Sequence, residues 1–363
     1  MYVHELPDWP HFTWEQESFS ELLIQVRHLQ GRLIGGMGSI GFHSSNSAML
    51  QTLTQDVVKS SEIEGERLDQ SLVRSSVARH LGIENAALNK IDKNVEGIVE
   101  MMLDATQNFD EPLTKERLLQ WHASLFPAQR GRSVKIQVGK WRLGPVDVVS
   151  GQLGDETIHF EAPKSSRVDH EMKLFFDWSN NEKRLDPVLK AAIAHLWFVT
   201  IHPFDDGNGR IARAIADLML ARSENSSRRF YSLSAQIQKE RKGYYSILEQ
   251  TQKGPLNITP WIKWFLSCLK KAIEEASALL STVLYKTQFW ESVADFSLNE
   301  RQKKVINRLL DGFNGKLTTT KWAKIAKCSQ DTAYRDILDL IDKNILVKNP
   351  EGGRSTSYSL SGF

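Results

Sequence analysis

Cysteine is nearly absent: Cys268 and Cys328 are the two in 363 residues, and they stand in no metal-ligand spacing. So few thiols argue against a disulfide framework or a structural zinc site and for a reducing compartment. An excess of either charge is lacking too. Lys and Arg number 46 against 44 Asp and Glu, a formal charge of +2, so no global field draws the chain to nucleic acid or to a membrane. No apolar run reaches membrane-spanning length, because the most apolar stretch, 189–204, is interrupted by Lys190, His195, Thr200 and His202. Met1 to Trp14 holds Glu5, Asp8 and Pro10 in place of the basic and apolar blocks of a signal peptide. With 41% hydrophobic and 25% charged residues, the chain reads as a cytoplasmic globular protein with no membrane partner. Its length implies roughly two or three domains.

Hydrophobic spacing divides the chain into four segments: 1–105, 106–256, 257–296 and 297–363. In the first, Leu22, Leu23, Val26, Leu29 and Leu33 form one stripe of a helix starting at Ser20. A second helical run, Ser47 to Leu81, ends at Gly82. The second segment has a helix cap at Thr114. Its short β-branched runs Val146–Ser150 and Thr157–Phe160, joined by 151–155, read as a hairpin. Asp186 and Pro187 then start a helix, Val188–Thr200, that is apolar nearly all round and therefore buried at the centre of its domain; Pro203 stops it. The third segment is a helical run from Ile258 to Leu284. The last shows helix patterns over Leu298–Leu310, Thr318–Ala326 and Ser329–Leu340, then a small hairpin between Ile345 and Leu360, as in a winged helix-turn-helix.

The chemistry concentrates in His202-Pro-Phe-Asp-Asp-Gly-Asn-Gly-Arg-Ile-Ala-Arg213. Gly207, Asn208 and Gly209 lie between two helical patterns, and the unsatisfied N–H groups of a helix start form an anion site. Arg210 and Arg213, three apart, share a helix face suited to a di- or triphosphate. Asp206 offers the hard oxygen that Mg²⁺ prefers. His202 alone in this group takes a proton near neutral pH, as a general base must. Singly, each residue has an ordinary reading: a turn, a structural histidine, an Arg213–Asp217 helical ion pair.

Together they match the Fic family motif, His-Pro-Phe-x-Asp/Glu-Gly-Asn-Gly-Arg-x-x-Arg, at every defined position. The chain resembles Fic proteins, most of which transfer AMP from ATP to a Ser, Thr or Tyr hydroxyl of a target protein and release pyrophosphate. The resemblance makes His202 the base and Asp206 a Mg²⁺ ligand. It assigns Gly207, Asn208 and Gly209 to the anion hole, Arg210 to the inner phosphates and Arg213 to the γ-phosphate. Relatives transfer phosphate, with an altered glycine segment, or phosphocholine; the intact motif favours nucleotidyl transfer and leaves phosphocholine transfer open. The fold implied is mainly α: an all-helical Fic core with a small β-hairpin flap, an N-terminal helical region and a C-terminal winged helix domain.

A second motif, Ser60-Ser-Glu-Ile-Glu-Gly65, resembles the inhibitory helix motif Ser/Thr-x-x-x-Glu-Gly/Asn of the same family. The resemblance implies that Glu64, one helical turn from Ser60, forms a bidentate pair with Arg213 and takes the place of the γ-phosphate, with Gly65 leaving room for another backbone. The 146–160 hairpin would align the target segment by strand addition. Tyr244 and Tyr245 are candidates to stack on the adenine, or equally core residues. Trp9, Pro10, Trp14 and the run Gly31–Gly38 resemble the leader region of one bacterial Fic subgroup.

From 297 to 363, twelve Lys and Arg face seven Asp and Glu. Gln330, Thr332, Tyr334 and Arg335 begin the recognition helix pattern and Arg354 lies in the wing, so DNA is a possible partner, against which Asp331 and Asp336 count. Three readings follow: a protein adenylyltransferase braked by Glu64, a DNA-binding regulator with a nucleotide-sensing or self-modifying Fic core, and an enzyme that also removes AMP. A homodimer is compatible with each.

Overall fold

Short polar side chains fix where the helices of this chain begin. In a computed structural model, described over residues 1–39, 42–83, 92–127, 136–152, 155–313, 315–350 and 356–361, Asp69, Asp92, Thr114 and Asp186 each accept a first-turn N–H at 2.7–3.2 Å. Such caps are each worth about 1 kcal/mol. The chain divides into two compact units, 1–276 and 277–363.

The first unit runs α1 (Ser20–Ser39), α2 (Phe42–Ile63), α3 (Gln70–His80), α4 (Lys93–Gln107) and α5 (Lys115–Leu125). The hairpin β1 (Asp147–Gln152) and β2 (Asp155–Glu161) follows. Then come α6 (Val168–Asn181), α7 (Pro187–Ile201), α8 (Asn208–Glu224), α9 (Leu233–Lys239), α10 (Arg241–Gln252) and α11 (Thr259–Ser292), the last of which carries the chain into the second unit. The fold is mainly helical, and α7 is its axis. Every residue of α7 from Val188 to Ile201 except Lys190 is buried, and α8, buried from Arg210 to Ala221, lies along it. At ~1.5–3 kcal/mol for each large apolar side chain withdrawn from water, this pair makes the rigid floor on which the 202–207 loop sits.

The helical run expected over 47–81 is broken. α2 ends at Ile63 and α3 begins only at Gln70, because Gly65 takes a φ of +85°, closed to most residues. A side chain at Gly65 would meet nothing, so the glycine is needed for its backbone angle and not for a close approach. Gly82, with φ +65°, ends α3 in the same left-handed way. The short polar helices α9 and α10 were not legible in the hydrophobic pattern.

β1 and β2 pair antiparallel from Asp147 opposite Glu161, with an irregularity at Val148/Val149. The connecting residues Leu153 and Gly154 lie outside the described residues. The chain start braces the foot of this hairpin: the His4 ring nitrogen Nε2 donates to the Glu161 carbonyl at 2.8 Å, and Tyr2 packs edge-on against Phe160.

The second unit contains α12 (Glu300–Leu310), α13 (Thr319–Ala326), α14 (Gln330–Asp342) and an antiparallel pair, β3 (Leu346–Lys348) and β4 (Tyr358–Leu360). Trp322, Ile306, Ile337, Leu340 and Leu317 form its core. Asp336 does not count against this surface. It is 6% exposed and held by Arg301 through two bonds of 2.8 and 2.9 Å. Gln330, Tyr334 and Arg335 stand exposed on α14, whereas Arg354 lies outside the described residues.

Candidate active site

The loop between α7 and α8 begins with an unusual residue. His202 takes φ 51° and ψ 57°, left-handed angles that cap α7, and its N–H donates to the Phe198 carbonyl at 3.0 Å. Its Nδ1 lies 3.1 Å from the Val199 carbonyl, which can only accept, so the proton of the neutral ring sits on Nδ1 and the lone pair on Nε2. Burial pushes the imidazole down to about 4, with the Arg142 charge adding to the shift and the Val199 bond, Glu64 and Asp206 opposing it. The ring is therefore a neutral acceptor at physiological pH.

Asn208 clasps the loop from inside. It accepts the Phe204 N–H at 3.0 Å and returns Nδ2 to the Phe204 carbonyl at 2.7 Å. Gly207 has φ +82°, and a Cβ there would press on Leu125 and Phe126 at 3.2 Å. Beneath the loop, His122 stacks on Phe204 with ring centroids 4.1 Å apart. It accepts the Gly139 N–H on Nδ1 at 2.9 Å and lies 3.2 Å from the Asp206 carbonyl through Nε2. Burial also pushes His122 down to about 4, so it is a neutral strut of the loop. The half-exposed carboxylate of Asp206 accepts the Gly207 N–H at 2.5 Å and lies 3.7 Å from Arg210.

Arg210 and Arg213, the two arginines in the first turns of α8, are buried and both are occupied. Arg213, 1% exposed, has Nη1 2.8 Å from Glu64 Oε1. Its Nε and Nη2 donate to the Ser60 hydroxyl and carbonyl at 2.9 and 2.8 Å. The Glu64 pair is made through one oxygen and is not bidentate, since Oε2 turns to the Tyr245 hydroxyl at 3.4 Å. Arg210, 4% exposed, pairs with Glu66 at 2.8 Å and lies over the Phe126 ring. Asp217, four residues beyond Arg213, pairs instead with Arg229 at 2.9 Å. Gly209 is the point of closest approach: a Cβ there would lie 2.1 Å from Glu64 Oε1.

A cleft of about 590 Å³ opens over this floor, lined among others by Glu64, His202, Gly209, Tyr245, Gln252 and the hairpin residue Val149. Val149 and Ile158, paired across the hairpin, are 46% and 45% exposed. Tyr245 reaches the Ile63 carbonyl at 3.2 Å and Arg241 reaches it at 2.7 Å, so the two cap the end of α2. Tyr244, 1% exposed, turns its hydroxyl to His195 at 2.9 Å in the core and meets the cleft only at its wall. Residues 202–213 and 60–65, far apart in sequence, thus converge on one cleft. Arg241 lines the cleft, and Glu66, His122 and Arg142 contact Arg210, the Asp206 carbonyl and the His202 carbonyl, without a motif to mark any of the four. The sole trace of Glu66 in the sequence is the alternating acidic run Glu62, Glu64, Glu66.

Asp206 offers a half-exposed carboxylate at the glycine bend, a hard oxygen of the kind that Mg²⁺ prefers. The acid–histidine cluster among the described residues that brings three ligand atoms together, His80, Glu96 and Glu100, belongs to another part of the unit. No described helix is long and apolar enough to cross a membrane.

A helical domain that sets a neutral imidazole beside a glycine-opened helix carrying two buried arginines has the architecture of the Fic/DOC family. Residues 112–220 match that family. Residues 2–83 match a Domain of unknown function (DUF4172). The chain is 26% identical over 243 residues to a protein named protein adenylyltransferase Fic of Nematostella vectensis, covering 66% of this chain and 51% of that one. It therefore spans about half the length of the curated relatives it matches. A Fic family protein from Desulfovibrio desulfuricans G20 shares the fold with a TM-score of 0.57 at 20% identity, over 98% of both chains. A Fic domain containing signaling protein from Bacteroides thetaiotaomicron VPI-5482 does so with a TM-score of 0.54 at 19% identity, over 71% of this chain and 97% of that one.

Proposed function

We propose that the chain is a protein adenylyltransferase that moves AMP from ATP to a Ser, Thr or Tyr hydroxyl of a protein. One observation carries this reading: the Nε2 lone pair of His202 is available in a cleft that borders Gly209 at the N-terminus of α8, the helix that carries Arg210 and Arg213. His202 Nε2 takes the hydroxyl proton, the hydroxyl oxygen forms a bond to the α-phosphorus, and the bond to the pyrophosphate oxygen breaks. The first N–H groups of α8 stabilise the phosphoryl charge that develops. Arg210 and Arg213 hold the leaving pyrophosphate. Mg²⁺ held by Asp206 would neutralise phosphate charge. A segment presented along β1 would set the hydroxyl over His202, with Val149 and Ile158 offering apolar contact.

In this reading the described state is braked. Glu64 occupies Arg213 and Glu66 occupies Arg210, so the polyphosphate tail has lost both cationic partners. Incubation with labelled ATP and cell lysate tests the function. Glu64→Gly protein is expected to add the mass of one AMP to a lysate protein, and Glu64→Gly/His202→Ala to add none. Equal labelling by the two proteins would end the proposal.

A second reading concerns residues 297–363. The pairing of Asp336 with Arg301 leaves Arg335 on an exposed helix face with less opposing charge than the composition implies. DNA retention that weakens with salt and with Arg335→Ala would support nucleic-acid contact there.

A further inference from the structure

One guanidinium ties the loop of His202 to the foot of the hairpin. Arg142, between α5 and β1, is 1% exposed. Its Nε donates to the His202 carbonyl at 2.7 Å and its main-chain N–H to the Pro203 carbonyl at 3.0 Å. Nη1 donates to the Gly144 carbonyl at 2.9 Å, and Nη2 donates to the Pro163 carbonyl. All four acceptors are neutral. Among the described residues the group is thus no half of a contact ion pair; carbonyl dipoles offset its burial, while Asp205 and Asp147 act on it from farther off.

The partners matter more than their number. The His202 carbonyl belongs to the residue whose left-handed backbone aims the imidazole, and Pro163 lies just beyond the end of β2. A rigid planar fork with donors in fixed directions transmits the position of one of these carbonyls to the other. An ammonium keeps the charge and loses that planar geometry.

We propose that Arg142 is a positioning residue that fixes the His202 imidazole relative to the hairpin edge, where the accepting hydroxyl would be presented. The inference rests on the reading of His202 as the base.

The test uses the full chain with Glu64→Gly as parent and adds Arg142→Lys or Arg142→Met. Nitrogen-15 histidine NMR reads the His202 tautomer, with the signal assigned by its loss in His202→Asn. The parent is expected to show the Nδ1–H form, and both variants to show exchange between tautomers. With ATP as the varied substrate and lysate protein as acceptor, kcat is expected to fall on the order of 10- to 100-fold while KM for ATP stays within about threefold. An unchanged Nδ1–H signal in both variants overturns the proposal, as does an effect confined to KM. Should Arg142→Met fail to fold, Arg142→Lys decides. If His202→Asn transfers AMP as fast as the parent, the adenylyltransferase reading fails, yet the tautomer signal, which needs no substrate, still decides the role of Arg142.

Discussion

Replacing Glu64 by glycine removes a carboxylate oxygen 2.8 Å from Arg213 Nη1 and clears the space over Gly209. The gross attraction of two unit charges about 4 Å apart at an effective dielectric of about 20 is ~4 kcal/mol. Glu64 keeps 31% of its side chain in solvent, so the net worth is smaller, in the range of ~1.5–3 kcal/mol for a hydrogen bond to a charged group. If the brake is this pair, its loss is expected to raise the rate of AMP transfer by about 10- to 150-fold at about 1.4 kcal/mol per tenfold. Glu64→Gln, which keeps the shape and drops the charge, should recover a large part of that gain. Initial rates with labelled ATP, compared with thermal melting of the same proteins, measure the effect apart from any change in folding. A Glu64→Gly protein that folds normally and transfers AMP within about twofold of the starting rate refutes the competition between carboxylate and phosphate.

Glu66→Gln should act more weakly. Its side chain is 41% exposed, so freeing Arg210 is expected to lower KM for ATP by about two- to fivefold, measured in the Glu64→Gly background. The rate should also keep its activity well into acid. An ordinary histidine is about 90% protonated at pH 5.5, whereas one held near 4 is almost wholly in the base form, so the acid limb of kcat is expected below pH 5.5. A limb near pH 6.5 would contradict the buried, Nδ1-bonded ring. Stability should show the opposite slope. Asp217 and Asp56 are each 1% exposed, and burial raises both carboxyls above their unfolded values. The folded state then binds more protons, so their contribution is full below the ordinary carboxylate range and is lost as pH rises through the folded values. Tm is expected to fall from weakly acid to alkaline pH, and Asp217→Asn to flatten that slope.

The sequence made the floor of the site legible because its constraints are local. A proline-stopped apolar helix, a glycine bend and an arginine pair on one face are all set by neighbours in the chain, and α7, α8 and the loop between them stand where those signals place them. The ends of α7 illustrate this: Asp186 caps it and Pro203 follows its close. Long-range contacts were not legible. Nothing local distinguishes Glu66 from a solvated carboxylate, or Arg142 from a surface cation, until the fold brings Arg210 and the His202 carbonyl beside them. Gly65 shows the limit from the other side. Its hydrophobic surroundings read as continuous helix, and a single positive φ ends that helix and starts the turn that carries both acids.

The φ of 51° at position 202 restricts which amino acids can replace the histidine without disturbing its neighbours. Asparagine visits that region far more readily than alanine does. An inactive form meant to trap bound partners is therefore better made with asparagine, which removes the imidazole and leaves the bend intact, so that a lost activity reports on chemistry alone.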